Sequence, residues 1–420
     1  MTGPRAVVAL RHRNFRLFWS GQLISLVGTW MQTVAQGWLV LTLTRGDPVA
    51  LGITAACQFT PVLLFGLVGG VLADALPKRR TLIVTQSASL VLALLLGLLA
   101  ITGVVQIWHV YLLAVGLGIV NAVDMPVRQS FIVEMVGRED IANAVALNSA
   151  VFNGARILGP AVAGILILIV GTAVCFFLNA ASYLAVLFAY ALMREDELRP
   201  AIRIAVARTV GGVVAQLREG LAYARATPVV RLALLTLGIT ATAGMNSSVL
   251  MPVFAQDVLG GGPSTFGFLL AASGVGSIFA ALHIAAGLRP SIKLVVVAGA
   301  ALGVALLALS QVHQTIIALP LMAVFGWSVI SMAATTNTLI QVLVPDELRG
   351  RVISIFTTVF AGSTPVGGLL VGSIAGLLGV SVALAFGGVV ALTTAGFAGL
   401  RVRALGDEAR EARPVLLGLR

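Results

Sequence analysis

The sequence predicts an all-α membrane protein of twelve transmembrane helices in two pseudo-symmetric six-helix bundles. Three observations carry this. The chain of 420 residues is 59% hydrophobic and only 10% charged, and neither 294–345 nor 352–400 contains Asp, Glu, Lys or Arg. All 27 Lys and Arg except Arg45 and Arg156 fall before the first apolar run, in even-numbered connections between runs, or after the last. The two halves also share spaced residues at nearly constant offsets.

An apolar helix of about 20 residues crosses a bilayer, so each of the two uncharged stretches holds two spans. The runs are continuous rather than alternating, which excludes a β-barrel. The spans are expected in order at 17–43, 49–73, 81–102, 107–127, 143–169 and 172–193, then at 230–255, 264–287, 292–310, 315–343, 352–376 and 379–400. The connections after spans three, five, seven, nine and eleven carry no basic residue. That alternation is the positive-inside pattern for an even number of spans with both termini in the cytoplasm of a cell with an inner membrane.

The net charge of +11 does not point to nucleic acid, because the excess lies beside span ends facing anionic lipid. Cys57 and Cys175 lie singly within spans and suggest neither disulfide nor metal. Arg5, Arg11, Arg13 and Arg16 precede a run too long for a signal-peptide core, so no cleavable signal is expected.

Four regions follow. Residues 1–193 form an N-terminal bundle, 194–229 a cytoplasmic linker, 230–402 a C-terminal bundle and 403–420 a cytoplasmic tail. In the linker, Val213, Val214, Leu217 and Leu221 recur at helical spacing, with Arg218, Glu219 and Arg225 elsewhere on the helical wheel. This fits an amphipathic helix on the membrane surface, or a plain linker helix. Pro48 and Gly52 recur as Pro263 and Gly267 at an offset of 215. Val151, Phe152, Gly154, Gly159 and Gly164 recur as Val359, Phe360, Gly362, Gly367 and Gly372 at an offset of 208, as does Glu139 as Glu347. A duplicated six-helix unit suits a carrier whose halves rock around a central site.

Polar residues at membrane depth belong at the bundle interior or in a wet cavity. Gln22, Ser25, Thr29, Gln32 or Thr33, and Gln36 form such a stripe along span one. Asn121, Asp124 and Arg128 do so in span four, Ser149, Asn153 and Arg156 in span five, and Ser328, Ser331, Thr335 and Thr338 in span ten. Of these, Gln22, Ser25, Thr29, Gln32, Gln36, Asn121, Asn153, Arg156, Ser331 and Thr335 are the expected cavity residues. Hydroxyl stripes also serve as interhelical hydrogen bonds. Arg156 is the one basic residue at membrane depth, and either binds an anionic substrate group or pairs with a carboxylate such as Asp124. Proton coupling needs a group whose affinity changes as access alternates. Asp124 is the best-placed candidate, with Glu134 nearer the cytoplasmic face.

The connection after span two reads Gly70-Val71-Leu72-Ala73-Asp74-Ala75-Leu76-Pro77-Lys78-Arg79-Arg80. It resembles the cytoplasmic signature of the major facilitator superfamily, G-x-L-A-D-r-x-G-r-k, with Ala75 and Pro77 departing from it. The resemblance implies a latch closing the cytoplasmic ends of the two halves, built from Asp74, Lys78 and Arg79 with Arg128, Arg349 and Arg351. Gly159-Pro160-Ala161-Val162-Ala163-Gly164 is similar to the antiporter signature G-P-x-x-G-G, which implies close helix packing by Gly159, Pro160 and Gly164, and export. Gly28-Thr29-Trp30-Met31-Gln32, Asp124–Ser130 and Pro345–Arg351 resemble the drug and siderophore exporter branch, which includes enterobactin-type and macrolide-type carriers.

No Gly-Lys-Ser/Thr phosphate loop is present, since Lys78 and Lys293 follow Pro77 and Ile292. No constellation suggests an enzyme, a cofactor or a metal. The expectation is a monomeric secondary transporter of amphipathic small molecules, exporting by proton antiport with alternating access in a lipid bilayer. Import or uniport on the same fold, or a non-transporting sensor or lipid-handling protein, are the alternatives.

Overall fold

Apolar runs of this length fold as fourteen α-helices, with no strand among the described residues. The computed structural model describes residues 5–199, 210–286 and 291–417, and their side chains except at 5–6, 67–68, 71–74, 210–217, 285 and 403–417. The first six helices are α1 (Arg13–Leu43), α2 (Pro48–Ala75), α3 (Lys78–Ile101), α4 (Ile107–Val136), α5 (Ile141–Val170) and α6 (Thr172–Ala191). The linker helix α7 covers Val210–Ala226. Then come α8 (Pro228–Gly244), α9 (Ser247–Val253), α10 (Pro263–Ala285), α11 (Ile292–Leu309), α12 (Thr315–Leu343), α13 (Asp346–Leu378) and α14 (Val380–Leu417).

Eleven spans among the described residues are long and apolar enough to cross a bilayer by composition, with α8 and α9 counted as one. The remaining span is α1, 31 residues long, whose polar stripe lowers its hydropathy. The outer surface is that of a protein dissolved in lipid. Leu377 is 83% exposed and Ile316 77%, and Ile169, Val342 and Leu168 are likewise exposed. Apolar side chains displayed on this scale are stable only against hydrocarbon.

The packing repeats between halves. In the first, α1 packs on α5 and α6, α2 on α4, and α3 on α4 and α6. In the second, α8 packs on α13 and α14, α10 on α12, and α11 on α12 and α14. The turns repeat too. Gly171 ends α5 at φ +85° and Gly379 ends α13 at φ +91°. Both adopt an extended positive-φ backbone open only to glycine, 208 residues apart.

Three departures from the expected spans bear on the site. The fourth was expected to end at 127, but α4 continues to Val136 because Phe131, Ile132 and Met135 are buried against the bundle. The seventh was expected to be continuous, but breaks at Met245 and Asn246. The side chain of Asn246 donates to the Thr242 carbonyl at 2.9 Å, an acceptor that the break frees, and also to the Ala241 carbonyl at 3.3 Å, which still accepts from the Met245 N–H. The twelfth was expected to end at 400, but α14 runs on to Leu417.

Candidate functional site: a crevice between two bundles

The bundles meet through the same pair of elements taken crosswise, α2 on α13 and α5 on α10. These contacts rely on glycine. A Cβ on Gly164 would lie 2.9 Å from the Pro263 carbonyl oxygen, and one on Gly372 2.8 Å from that of Pro48. Gly52 faces the Gly368 carbonyl and Gly267 faces that of Pro160. All of these positions lie at the end that carries no basic residue but Arg45, which we call the opposite end. Further toward the basic end, Gly274 meets the Arg156 backbone and Gly362 meets Leu63. No ion pair or side-chain hydrogen bond among the described residues joins the two bundles at the basic end.

One face of α5 shows where the bundles part. Ser149, Asn153, Arg156, Pro160 and Gly164 recur at steps of three and four, so they share that face. Pro160 and Gly164 are covered by α10, whereas Asn153 and Arg156 are half-buried and Ser149 is exposed. The face is therefore sealed at the opposite end and open from Arg156 toward the basic end. Gly159, on the neighbouring face, packs α5 against Val27 and Trp30 of α1.

Arg156 does not pair with Asp124. Its guanidinium lies over the Trp30 ring, 5.6 Å from the centroid, and Trp30 meets Phe152 edge-on at 5.7 Å. Asp124 is 2% exposed and has its own partners. Thr85 Oγ1 donates to it at 2.7 Å, Gln86 Nε2 at 2.8 Å, and Arg128 pairs with it at 3.1 Å one turn along α4. Arg128 also donates to Gln22 Oε1 at 2.9 Å. The reason is local: i,i+4 spacing brings Arg128 to Asp124, and α3 covers that face of α4.

The stripe of span one is buried rather than lining an open space. Gln22, Ser25, Gln32 and Gln36 are all buried. Gln32 Oε1 accepts from Asn179 Nδ2 of α6 at 2.6 Å, Gln36 approaches Gln58 of α2 at 3.5 Å, and Thr29 donates to the Ser25 carbonyl. Ser331 and Thr335 of α12 are buried as well, in a helix that packs closely on α10 where Gly326 meets Ser273. Asn121 is half-buried. Of these, Gln22, Gln32 and Gln36 tie helices together in this conformation.

The charges at the basic end stay within their own half. Lys78 Nζ pairs with Glu134 at 2.5 Å, joining α3 to α4. Arg79 pairs with Glu195 and donates to the Tyr190 carbonyl at 2.8 Å, fastening α3 to the end of α6. Arg349 pairs with Asp346 of its own helix, and Arg351 with Glu219 of α7. The side chain of Asp74 lies outside the described residues, as do those of Val213, Val214 and Leu217. Farther along α7, Ala224 is buried against Val230, Ile340, Val344 and Val352, so this end of the helix docks on the second bundle.

Gln58, Asn179 and Asn246 take part in these arrangements but did not stand out in the sequence, whereas Trp30, Phe152 and Glu219 stood out there only for other reasons. Asn179 and Asn246 carried a usable signal, since an amide within an apolar run needs a partner.

The family model described as transmembrane secretion effector (MFS_3) matches residues 5–416. The staphyloferrin A transporter of Staphylococcus aureus is 27% identical over 378 residues, covering 87% of this chain and 90% of that protein. The multidrug efflux pump Tap of Mycolicibacterium fortuitum is 29% identical over 364 residues, covering 84% and 87%. Among solved structures, a bacterial homologue of the human lysosomal transporter Spinster, in an inward-facing and unoccupied conformation, superimposes with a TM-score of 0.69 at 14% identity, covering 95% of this chain and 96% of that one. With two crosswise-packed six-helix halves and a match over nearly its whole length, the chain belongs to the transmembrane secretion effector family of major facilitator membrane transporters.

Proposed function

We propose that this transporter exports amphipathic small molecules across the cytoplasmic membrane by alternating access, in exchange for protons. The observation that carries the reading is the crosswise glycine seam at one end of the molecule, with the polar face of α5 open at the other. With the basic end in the cytoplasm and both termini there, the conformation is inward-open and ready to load from inside. The name of one relative, a multidrug efflux pump, supports the direction.

Asp124 supplies the proton site in this reading. Its carboxyl accepts from Thr85 and Gln86, and Arg128 pairs with it. Protonation removes the charge-assisted bond and frees Arg128 to turn toward Asp74, closing the latch. Proton entry then drives the halves between their two packings. Glu134 is already paired with Lys78 and stabilises the first bundle instead.

The test is reconstitution of the monomer in proteoliposomes, following a panel of amphipathic dyes and internal pH together. Counterflow of dye and protons under an imposed gradient supports the reading. Dye uptake in the direction of proton flow would make the protein an importer, and binding without flux a sensor.

A further inference from the structure

Arg156 carries its charge at the level where the two bundles part, and no group among the described residues neutralises it. It forms no ion pair or side-chain hydrogen bond there; its one close partner is the face of Trp30. The other charge at this depth, Asp124, is already balanced by Arg128. The crevice therefore presents one uncompensated positive charge. In a membrane interior such a charge is costly until an anion or water meets it.

Beside the cation lies an apolar shelf. Phe152, one turn toward the basic end, is 43% exposed although it sits on an inner helix face next to Arg156. Its ring meets Trp30 edge to face, and the guanidinium over Trp30 makes no ion pair or side-chain hydrogen bond among the described residues. A planar fork next to an exposed ring matches a planar anion attached to an aromatic system: two parallel N–H···O bonds to a carboxylate, and ring contact with Phe152.

We propose that Arg156, Trp30 and Phe152 form the binding subsite for an aromatic carboxylate, so that this exporter prefers anionic aromatic substrates over cationic ones. This rests on the reading that the crevice is the substrate path. The seam at Pro160 and Gly164 lies one turn beyond Arg156, so a molecule bound there sits directly beneath the contact that must open for release.

The test uses two dyes on one ring scaffold, fluorescein as the anion and rhodamine 123 as the cation, with binding to the full-length detergent-solubilised protein read by fluorescence anisotropy at pH 8. Fluorescein is expected to bind at least about tenfold more tightly than rhodamine 123, and Arg156→Gln to abolish that preference, a difference of about 1.4 kcal/mol per decade. Arg156→Lys keeps the charge but loses the fork and the stacking, and is expected to retain part of the preference. Because Arg156→Gln could fail to fold, Phe152→Ala serves as a second variant, expected to weaken fluorescein binding several-fold. Equal binding of the two dyes by the unaltered protein, or an unchanged preference in Arg156→Gln, would overturn the proposal. Preferential fluorescein binding without movement of either dye in proteoliposomes would uphold the subsite and refute export.

Discussion

Glu219 of the linker helix α7 holds Arg351 of α13 in an ion pair, so an arginine suited to bridge the two halves is bound to the linker. Gly220, the next residue, packs directly on Arg351, where an added Cβ would lie 2.9 Å from the Arg351 Cβ, so α7 and α13 approach closely at this point. The linker thus occupies the second half's charge while the basic ends stand apart.

Glu219→Gln is expected to release Arg351 and favour closure of the basic ends. The pair is partly exposed, at 29% and 58%, so its weight is below about 1 kcal/mol and the shift in population about two- to fivefold. Spin labels at Ala75→Cys and Gly350→Cys, both exposed sites, would report it as growth of a shorter distance. An unchanged distance distribution would count against linker control.

The glycine seam makes a separate prediction. Gly164→Val places branched carbons against the Pro263 carbonyl and Ser264, which cannot yield without separating α5 from α10. The opposite end should then open. In a background with Cys57 and Cys175 replaced by Ala, Ser264→Cys is expected to react several-fold faster with a membrane-impermeant maleimide once Gly164→Val is added. Equal rates would show that the seam tolerates bulk.

For Asp124→Asn, two effects are expected together. The neutral amide cannot balance Arg128, which leaves a half-buried charge with Gln22 alone; losing such a charge-assisted bond costs about 1.5–3 kcal/mol, visible as a lower thermal midpoint in detergent. Dye flux should also stop responding to an imposed pH gradient. Retained coupling would move the proton site elsewhere.

The start of the chain carries a pH dependence. Asp140, just before α5, is held below the usual carboxylate range chiefly by its hydrogen bond to His12, with Arg11 adding attraction. His12 Nε2 lies 2.7 Å from the carboxylate and Arg11 Nη2 2.8 Å. A depressed carboxylate stabilises the folded arrangement at every pH above its ordinary value of about 4, and that contribution is lost as pH falls through the depressed value. Amide hydrogen exchange in Arg5–Arg11 is expected to be several-fold slower in the unaltered protein than in Asp140→Asn at pH 7, with the two converging below about pH 4. A constant ratio across that range would remove Asp140 from this role.

Much of the architecture was legible from residues alone. Helical spans follow from local hydropathy, because hydrocarbon admits only backbone that bonds internally, and the repeated glycines at an offset of 208 exposed the duplication. The close-packing glycines could also be read, since a small residue in an apolar helix has few other uses. The fate of each polar stripe could not. Gln22, Gln32 and Gln36 must avoid lipid, but an interhelical contact and a wet crevice satisfy that demand equally; only the placement of Asn179, Gln58 and Arg128 decided for contact.

What the sequence by itself determined is which stretches span the bilayer and that they come as two related sets, because those properties depend on runs of neighbouring side chains. Which charge meets which between helices was decided by the tertiary structure. Asp124 meets Arg128 by i,i+4 spacing within α4, but Lys78 chose Glu134 and Arg351 chose Glu219 because those pairings depend on separations of a few ångströms between helices that sequence distance does not encode. The same folding left Arg156 on Trp30 without a counter-charge among the described residues, at the point where the two halves separate.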